Sequence, residues 1–431
     1  MVTRQPSLRY PFYVLALLLS AYVISYMDRI ALSLMVDPIR RDLGLSDLRM
    51  SLLIGFGFVL LYTTIGIPLG RLADVVNRPR LIVAGMIVWC AATVACGFAT
   101  GFVTLLLARL FVGLGEATLS PASYSLIGTY FPRERMALAI SIYTLGITFG
   151  GGLATYTVGL IAQAVAQVSV FGLPPGTGGW RTAFVIVGCV GVPVILLMLT
   201  VREPRASAGP GTAAPSLREA WRYLRDNGRA YGLILGGYAV MAMTSLGAVL
   251  WGPTYFIRLH GMTPVEVGAM FGTAMGIGGT AGLLAGGWLA DRLFARGTLD
   301  ASPRTVVLSL LLQTPLFLLV YLSSDTAIAR LALYPAIFAM LLQGGVQGAT
   351  IQLVAPERMR GLIVGVYLML TNVVGMALGP WLVALLNEAA FGGPSGIGRS
   401  LAVVSAASSL GGAAMIVLGL PAFRRLAAQT A

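Results

Sequence analysis

Long apolar runs alternate with short clusters of charged residues, Pro and Gly from one end of the chain to the other. Because a helix needs roughly 20 apolar residues to cross a bilayer, this pattern predicts about twelve transmembrane helices. We expect them near residues 11–36, 50–74, 80–99, 102–127, 135–165, 182–201, 230–257, 264–290, 304–323, 329–353, 360–387 and 398–423. The first run is longer than the apolar core of a signal peptide and no small-residue cleavage site follows it, so it should remain as the first span.

The composition agrees with this interpretation. Of the 431 residues, 57% are hydrophobic and only 10% are charged, and the mean hydropathy is +0.85. A soluble domain carries about 25% charged residues. The sequence therefore predicts an all-α polytopic membrane protein.

Sequence signals for enzymatic chemistry are missing. The chain has no phosphate-binding loop, no metal-ligand spacing and no nucleophile paired with a base. The glycine-rich segment 272–279 lies inside an apolar span, so it does not fit a phosphate loop. We expect no cofactor and no metal, and we do not predict an enzyme or an ATP-driven pump.

The net charge of +13 follows the topology. Arginines concentrate in the N-terminal tail, in the connection at 202–229 and in alternate loops, whereas the intervening loops are nearly neutral. The first neutral loop balances three arginines against three aspartates, Arg40, Arg41, Arg49, Asp37, Asp42 and Asp47. By the positive-inside rule, both termini and the long connection are predicted to be cytoplasmic. The charge thus encodes orientation, and no nucleic-acid partner is expected.

An internal repeat defines the domain organisation. The segment GRLADVVNR begins at Gly70 and a similar GWLADRLFAR begins at Gly287. Likewise PRERMALAISIY begins at Pro132 and PERMRGLIVGVY at Pro356, after a similar interval. We predict two related six-helix bundles, residues 1–201 and 230–431, joined by a cytoplasmic linker at 202–229.

The linker carries a helical pattern of its own. Ser216 and Glu219 have capping-box spacing, and apolar Leu217, Trp221 and Leu224 then fall on one helical face opposite arginines. This predicts a short amphipathic helix lying on the inner leaflet. A solvated linker with a helical turn is the alternative.

Several of these segments resemble the major facilitator superfamily. The run Gly70 to Asp74, followed by Arg78, resembles the signature loop between the second and third helices of that family, and Gly287 to Arg292 resembles its second-half copy. Arg109 with Gly113, the glycine-rich segment 146–152 after Tyr143, and Trp180-Arg181 resemble motifs of the fourth, fifth and sixth helices. The resemblance covers nearly the whole chain and implies the major facilitator fold with alternating access.

The resemblance also implies a cytoplasmic gate between the two halves. On the positions that match the motif, this gate would consist of Gly70, Asp74, Arg78 and Asp291. The first loop departs from the family pattern at Val75, Asn77 and Pro79, although Asn tolerates the left-handed turn conformation. Simple surface pairing of Asp74 is the alternative to a gate contact.

A second resemblance concerns the charged residues inside the spans. The pair Asp28-Arg29 in the first span, together with Arg109 and the run Gly115 to Ala117 in the fourth, resembles the spinster-like branch. That branch consists of transporters of lysophospholipids and sphingosine phosphate. The resemblance implies a similar amphiphilic, anionic substrate.

Helical geometry supports a shared site for these charges. Arg109 and Glu116 lie seven positions apart, so they differ by only about 20° around the helix and share one face. An ionisable residue at mid-span costs about 2.5–3.5 kcal/mol, so it should face a cavity or a partner. In the first span Arg29 belongs to a polar stripe with Tyr22, Ser25 and Ser33, and Asp28 lies beside it. We expect the two acids and two arginines to pair when no substrate is present; pairs that only lock the helices together are the alternative.

These residues suggest a mechanism based on competition. An arginine fork binds a carboxylate or a phosphate, so an anionic head group and Glu116 would compete for Arg29 or Arg109. The released acid, Glu116 or Asp28, would then take up a proton. Asp28 and Glu116 are the candidate proton-coupling residues, and Arg29 and Arg109 are candidate substrate-binding residues.

The second half supplies uncharged candidates for the same cavity. Gln347, Trp251 and Tyr367 are predicted to contact substrate, as is Tyr143 in the first half. A cavity that is charged on one side and aromatic on the other suits an amphiphile. Packing or interface anchoring is the alternative role of such aromatic residues.

Together these features predict a secondary active transporter for a lysophospholipid or sphingoid phosphate, working by alternating access and coupled to protons. A drug/proton antiporter or an organic-anion symporter of the same superfamily is the alternative. An intramembrane enzyme or a scramblase-like conduit would represent another class. We expect a monomer in the lipid bilayer of a prokaryotic inner membrane.

Overall fold

The computed structural model describes residues 9–165, 179–203, 217–356 and 359–430, which are almost entirely helical. Their membrane-spanning segments are α1 Arg9–Leu34, α2 47–75, α3 Arg78–Gly97, α4 Phe102–Tyr130, α5 133–164, α6 Gly179–Met198, α7 Gly228–His260, α8 Pro264–Ala295, α9 Ala301–Leu322, α10 326–354, α11 360–389 and α12 Ile397–Thr430. Eleven of them contain a stretch long and apolar enough to cross a bilayer, and α5 is helical over the remaining predicted span. The predicted helical membrane fold is confirmed.

Four of the described spans contain a π-helical turn. A wide, π-helical turn occupies Leu52–Phe56 in α2, Gly146–Gly150 in α5, Ala274–Gly279 in α8 and Thr371–Leu378 in α11. The turn of α2 contacts that of α11, and the turn of α5 contacts that of α8. Because α2 and α8 hold equivalent positions in the two repeats, as do α5 and α11, the repeat in the sequence recurs in the backbone geometry.

Two of the paired helices approach closely because glycines face each other. A Cβ atom on Gly152 of α5 would lie 2.5 Å from the carbonyl oxygen of Gly272 in α8, and one on Gly268 would lie 2.8 Å from that of Thr155. Any larger residue would push the helices apart. This α5–α8 seam joins the first half of the chain to the second.

The twelve spans alternate in direction across the membrane, so residues 9 and 430 lie on the same side. We call the opposite side the distal end; it is the side that the arginine pattern predicts to be extracytoplasmic. A short helix, Val36–Leu43, connects α1 to α2 at the distal end.

The linker between the halves contains a second short helix, Leu217–Asp226. The hydroxyl of Tyr223 donates to the carbonyl oxygen of Val354 at 3.1 Å, and Leu224 packs against the second half. Trp221 is 69% exposed. The helix is therefore attached to the second half by one face, and Trp221 lies on the free face.

Candidate functional site

The charged site in the first half depends on glycines in α4. A Cβ on Gly113 would lie 2.2 Å from the carbonyl oxygen of Phe58 in α2, and one on Gly115 would lie 2.6 Å from that of Gly85 in α3. These glycines let α4 pack closely against both helices. The regular α-helix then ends at Glu116, beside α1.

Glu116 is bound by α1. The Nε and Nη2 groups of Arg29 donate to its Oε2 atom at 2.8 and 2.6 Å, and the Ser25 hydroxyl donates to the same atom at 2.5 Å. The other oxygen, Oε1, is buried and has no hydrogen-bond partner among the described residues. The side chain of Glu116 is fully buried, whereas that of Arg29 remains 17% exposed. Arg29 is therefore the charged group of this pair that an entering ligand can meet.

Aromatic rings surround Arg29. Its guanidinium carbon lies 4.6 Å from the ring centre of Phe58, 5.3 Å from that of Tyr62 and 5.4 Å from that of Tyr26. These distances fit cation–π contacts, which help to hold a cation in an apolar site. These rings are not among the residues predicted from the sequence, although Phe58 and Tyr62 share one face of α2 at a spacing of four.

Asp28 and Arg109 lie deeper. Their relative exposures are 0% and 1%, and Arg109 Nη1 donates to the backbone carbonyl of Asp28 at 3.3 Å. Both carboxyl oxygens of Asp28 are buried without a hydrogen-bond partner among the described residues, as is the Nε of Arg109. The four predicted charges thus form one cluster with two layers, in which Arg29 pairs with Glu116 and Asp28 lies near Arg109.

Tyr143 is connected to this cluster through other aromatic residues. Its ring stacks on Tyr22 with centres 4.9 Å apart, and Tyr22 contacts Tyr26 at 5.5 Å. Tyr143 is fully buried, and its hydroxyl has no hydrogen-bond partner among the described residues. The predicted substrate residue Tyr143 therefore packs near Arg29, but it is not exposed in this conformation.

Two of the predicted residues in the second half contact each other. The hydroxyl of Tyr367 donates to Gln347 Oε1, and the ring of Tyr367 lies 6.1 Å from that of Tyr238. Tyr238 shares a 2.8 Å hydrogen bond with Thr350. These contacts form an uncharged polar cluster between α7, α10 and α11.

Trp251 lies elsewhere. It is 1% exposed, its indole N–H donates to the Pro380 carbonyl at 3.2 Å, and its ring centre lies 5.7 Å from the guanidinium carbon of Arg258. Trp251 is therefore packed towards the distal end in this conformation.

Arg258 forms the main polar contact between the two halves at the distal end. Its Nε donates to Asp37 at 2.9 and 3.0 Å, and its Nη1 and Nη2 donate to Asp47 at 2.7 and 2.8 Å. In the sequence, the aspartates of this loop are matched in number by arginines of the same loop. Two of them are instead bound by an arginine more than two hundred residues away, because the fold places the end of α7 over the α1–α2 loop.

Further contacts support this distal network. Asn387 donates to Asp47 at 2.7 Å, and the backbone N–H of Leu48 donates to Glu388 at 2.8 Å. Thr254 donates to the carbonyl oxygen of Ser33 at 3.0 Å. The distal end is thus closed by α1, α2, α7 and α11 together.

The predicted cytoplasmic gate residues lie at the opposite end. Arg78 is buried, and it binds Glu203 through its Nε at 2.7 Å and the hydroxyls of Ser125 and Thr129 at 2.9 Å each. Ser125 and Thr129 belong to the same half as Arg78, and Glu203 lies at the start of the linker that follows it. The surroundings of Gly70 and of the Asp74 side chain lie outside what the structure describes. Asp291 is exposed on α8.

Twelve spans in two repeated halves, with a buried charged cluster in one half and an uncharged polar cluster in the other, define a membrane transporter built from an internal repeat. The chain belongs to the Major Facilitator Superfamily, whose family profile matches residues 18–380.

Individual relatives refine this assignment. An MFS-type efflux pump of Mycolicibacterium smegmatis is 30% identical, with 93% of this chain and 91% of the pump covered. A hexuronate transporter of Bacillus subtilis is 26% identical, with 87% of each chain covered. A bacterial homolog of the human lysosomal transporter Spinster, solved in an inward-facing and unoccupied conformation, has a TM-score of 0.78 and 27% identity over 98% of both chains. The chain is a secondary transporter of this superfamily and resembles its spinster-like branch.

Proposed function

We propose that this protein moves an amphiphilic lipid with an anionic head group, a lysophospholipid or a sphingoid phosphate, by proton-coupled alternating access. One observation carries the proposal. Arg29 is partly exposed, surrounded by aromatic rings and bound to a buried carboxylate that a phosphate can replace.

The head group would replace Glu116 as the anion bound to Arg29. A guanidinium binds phosphate and carboxylate with the same planar set of donors. When the phosphate takes the Nε and Nη2 donors of Arg29, Glu116 retains only the Ser25 hydroxyl at Oε2. The aromatic rings keep Arg29 in place during this exchange.

A proton would compensate the carboxylate that the exchange leaves behind. A buried carboxylate without a cation is unfavourable, whereas the protonated acid is neutral. Glu116 therefore takes up a proton when the substrate occupies Arg29. Asp28, both of whose carboxyl oxygens lack a hydrogen-bond partner in the described part of the chain, is the second candidate carrier.

The remaining surfaces suit the rest of an amphiphile. Gln347 and Tyr367 in the second half offer an uncharged polar surface, and Tyr22 and Tyr26, backed by the buried Tyr143, extend an aromatic surface in the first half. A charged head group site beside uncharged walls fits a molecule with one polar end.

The distal network would be the gate that is closed in this conformation. Arg258 and Asn387 come from the second half, whereas Asp37 and Asp47 come from the first, so rocking of one half on the other separates them. Opening of this network and closure of the opposite end would complete the cycle.

The test is a binding experiment with purified protein in nanodiscs. A panel of lysophospholipids, a sphingosine-phosphate analogue and small organic anions is compared on wild type, Arg29→Gln, Arg109→Ala and Arg330→Gln, at several pH values. Arg330 is an exposed arginine remote from the site and serves as the control. Saturable lysolipid binding that varies with pH and weakens in the first two variants alone supports the proposal.

An organic-anion symporter or a drug antiporter is the second candidate. Arg29 would bind a carboxylate as well as a phosphate. The similarity to a hexuronate transporter favours an organic anion, and the similarity to an efflux pump is compatible with an antiporter. Binding of such compounds in the same panel, with no lysolipid binding, would establish this candidate and overturn the lipid proposal.

A further inference from the structure

We infer that Arg40 is a reserve counter-ion of the distal gate: when the gate opens and Arg258 leaves, Arg40 takes over Asp37 and Asp47. This inference needs only the superfamily's alternation between two conformations and not the identity of the substrate.

The closed network holds Arg40 within ion-pair distance of both acids, but its Nε atom does not hydrogen-bond to them. Its Nε atom lies 3.6 Å from Asp37 Oδ1 and 3.8 Å from Asp47 Oδ1, both beyond hydrogen-bond distance. That Nε atom is buried and has no hydrogen-bond partner among the described residues. Arg258 meanwhile donates to both carboxylates at 2.7 to 3.0 Å. Two arginines therefore share two aspartates, and only one of them is hydrogen-bonded.

Arg40 and the acids belong to the same half, whereas Arg258 does not. The short helix Val36–Leu43 is fixed to the first half through Asp42, which accepts from Arg181 at 2.9 Å and from the Trp180 indole at 3.0 Å. Any separation of the halves thus removes Arg258 and leaves Arg40 beside the acids. Asp37 and Arg40 are three residues apart on this helix, so their contact does not depend on the second half.

The acids need a replacement when Arg258 leaves. The side chain of Asp47 is only 2% exposed and that of Asp37 13%, and two neighbouring carboxylates without a cation repel each other. A shift of less than 1 Å would bring the Arg40 Nε atom into hydrogen-bond distance of either acid. Arg40 would thereby stabilise the open gate, whereas Arg258 stabilises the closed one.

The experiment measures the opening of the distal end in a cysteine-free protein. Spin labels on two exposed distal loop residues, Thr100 in the first half and Ser324 in the second, report the distance between the halves. Arg40→Gln should reduce the distal-open population by roughly threefold or more, because the closed state keeps Arg258 as a hydrogen-bonded cation whereas the open state loses its replacement. Arg41→Gln is the matched control, since Arg41 is the exposed neighbour on the same helix. Arg40→Lys should keep much of the open population.

A second measurement uses a variant in which the α5–α8 seam cannot close. Gly152→Val with Gly268→Val should hold α5 and α8 apart, which the spin labels verify. In that form Arg40→Gln should lower the thermal midpoint by several degrees more than it does in the wild type, whereas Arg41→Gln should have equal effects in both. Equal effects of the Arg40 and Arg41 variants, or a larger open population in Arg40→Gln, would overturn the inference.

Discussion

Arg29 donates two hydrogen bonds to a single oxygen of Glu116, at 2.8 and 2.6 Å, and leaves the second carboxylate oxygen without a partner among the described residues. The pair is therefore asymmetric. Its arginine is partly exposed and its acid is fully buried. A ligand can reach the cation first, which is the geometry that exchange of partners requires.

Arg29→Lys tests the shape of this cation. Lysine keeps the charge but loses the planar fork and the stacking on Phe58, so lysolipid binding should weaken by roughly tenfold. Nanodisc binding measures the effect, and Arg330→Lys provides the exposed control. Wild-type affinity in Arg29→Lys would indicate that charge alone suffices.

Glu116→Gln tests proton coupling. The amide has nearly the shape of the acid but cannot ionise, so substrate binding should lose its pH dependence while remaining saturable. Glu266→Gln is the control, because Glu266 is part of an exposed capping box at the start of α8. If Glu116→Gln binds with the wild-type pH profile, Glu116 is not the coupled group.

Phe58→Leu tests the aromatic surroundings of Arg29. The ring lies 4.6 Å from the Arg29 guanidinium and 5.9 Å from that of Arg109, so its loss should weaken the positions of both arginines. We expect a few-fold loss of lysolipid affinity together with a lower thermal midpoint. Phe56→Leu, two residues earlier and 43% exposed, should leave both quantities unchanged. Equal effects of the two variants would show that the Phe58 ring contributes packing and no specific contact with the arginines.

The sequence predicted much of the architecture but not the pairing inside it. Helical periodicity shows that Arg109 and Glu116 share a face of α4, because it describes positions within one helix. It does not describe how α4 is rotated against α1, and therefore it left open whether Arg29 or Arg109 binds Glu116. Arg258 was missed for the same reason, since its partners Asp37 and Asp47 are distant in the chain.

The wide turns of α2, α5, α8 and α11 also could not be predicted from the pattern of hydrophobic and polar residues. Their residues remain apolar and glycine-rich, as in the neighbouring regular helix. The repeat nevertheless indicated that α2 and α8, and likewise α5 and α11, should be equivalent. The structure extends that equivalence to the backbone turns through which these helices meet.

Gly113→Ala tests how α4 is positioned. The added methyl group would lie 2.2 Å from the Phe58 carbonyl oxygen, so α4 must move away from α2 and displace Arg109 and Glu116. We expect a thermal midpoint lower by several degrees and weaker substrate binding. Gly128→Ala is the control, because it lies on the same helix with nothing within 4 Å, and it should be neutral or slightly stabilising.

Arg78→Gln separates two roles of a predicted gate residue. Of its described partners, Ser125 and Thr129 belong to the first half and Glu203 to the linker that follows it, so the variant should lower the thermal midpoint by leaving Glu203 without its cation. The distance between spin labels on the two halves should stay unchanged, and Arg80→Gln, at an exposed position nearby, should alter neither quantity. A changed distance without loss of stability would instead support the gate role that the sequence motif predicts. In that case Arg78 would act on the contact between the halves, and the bonds to Glu203 would hold its side chain in position at the start of α3.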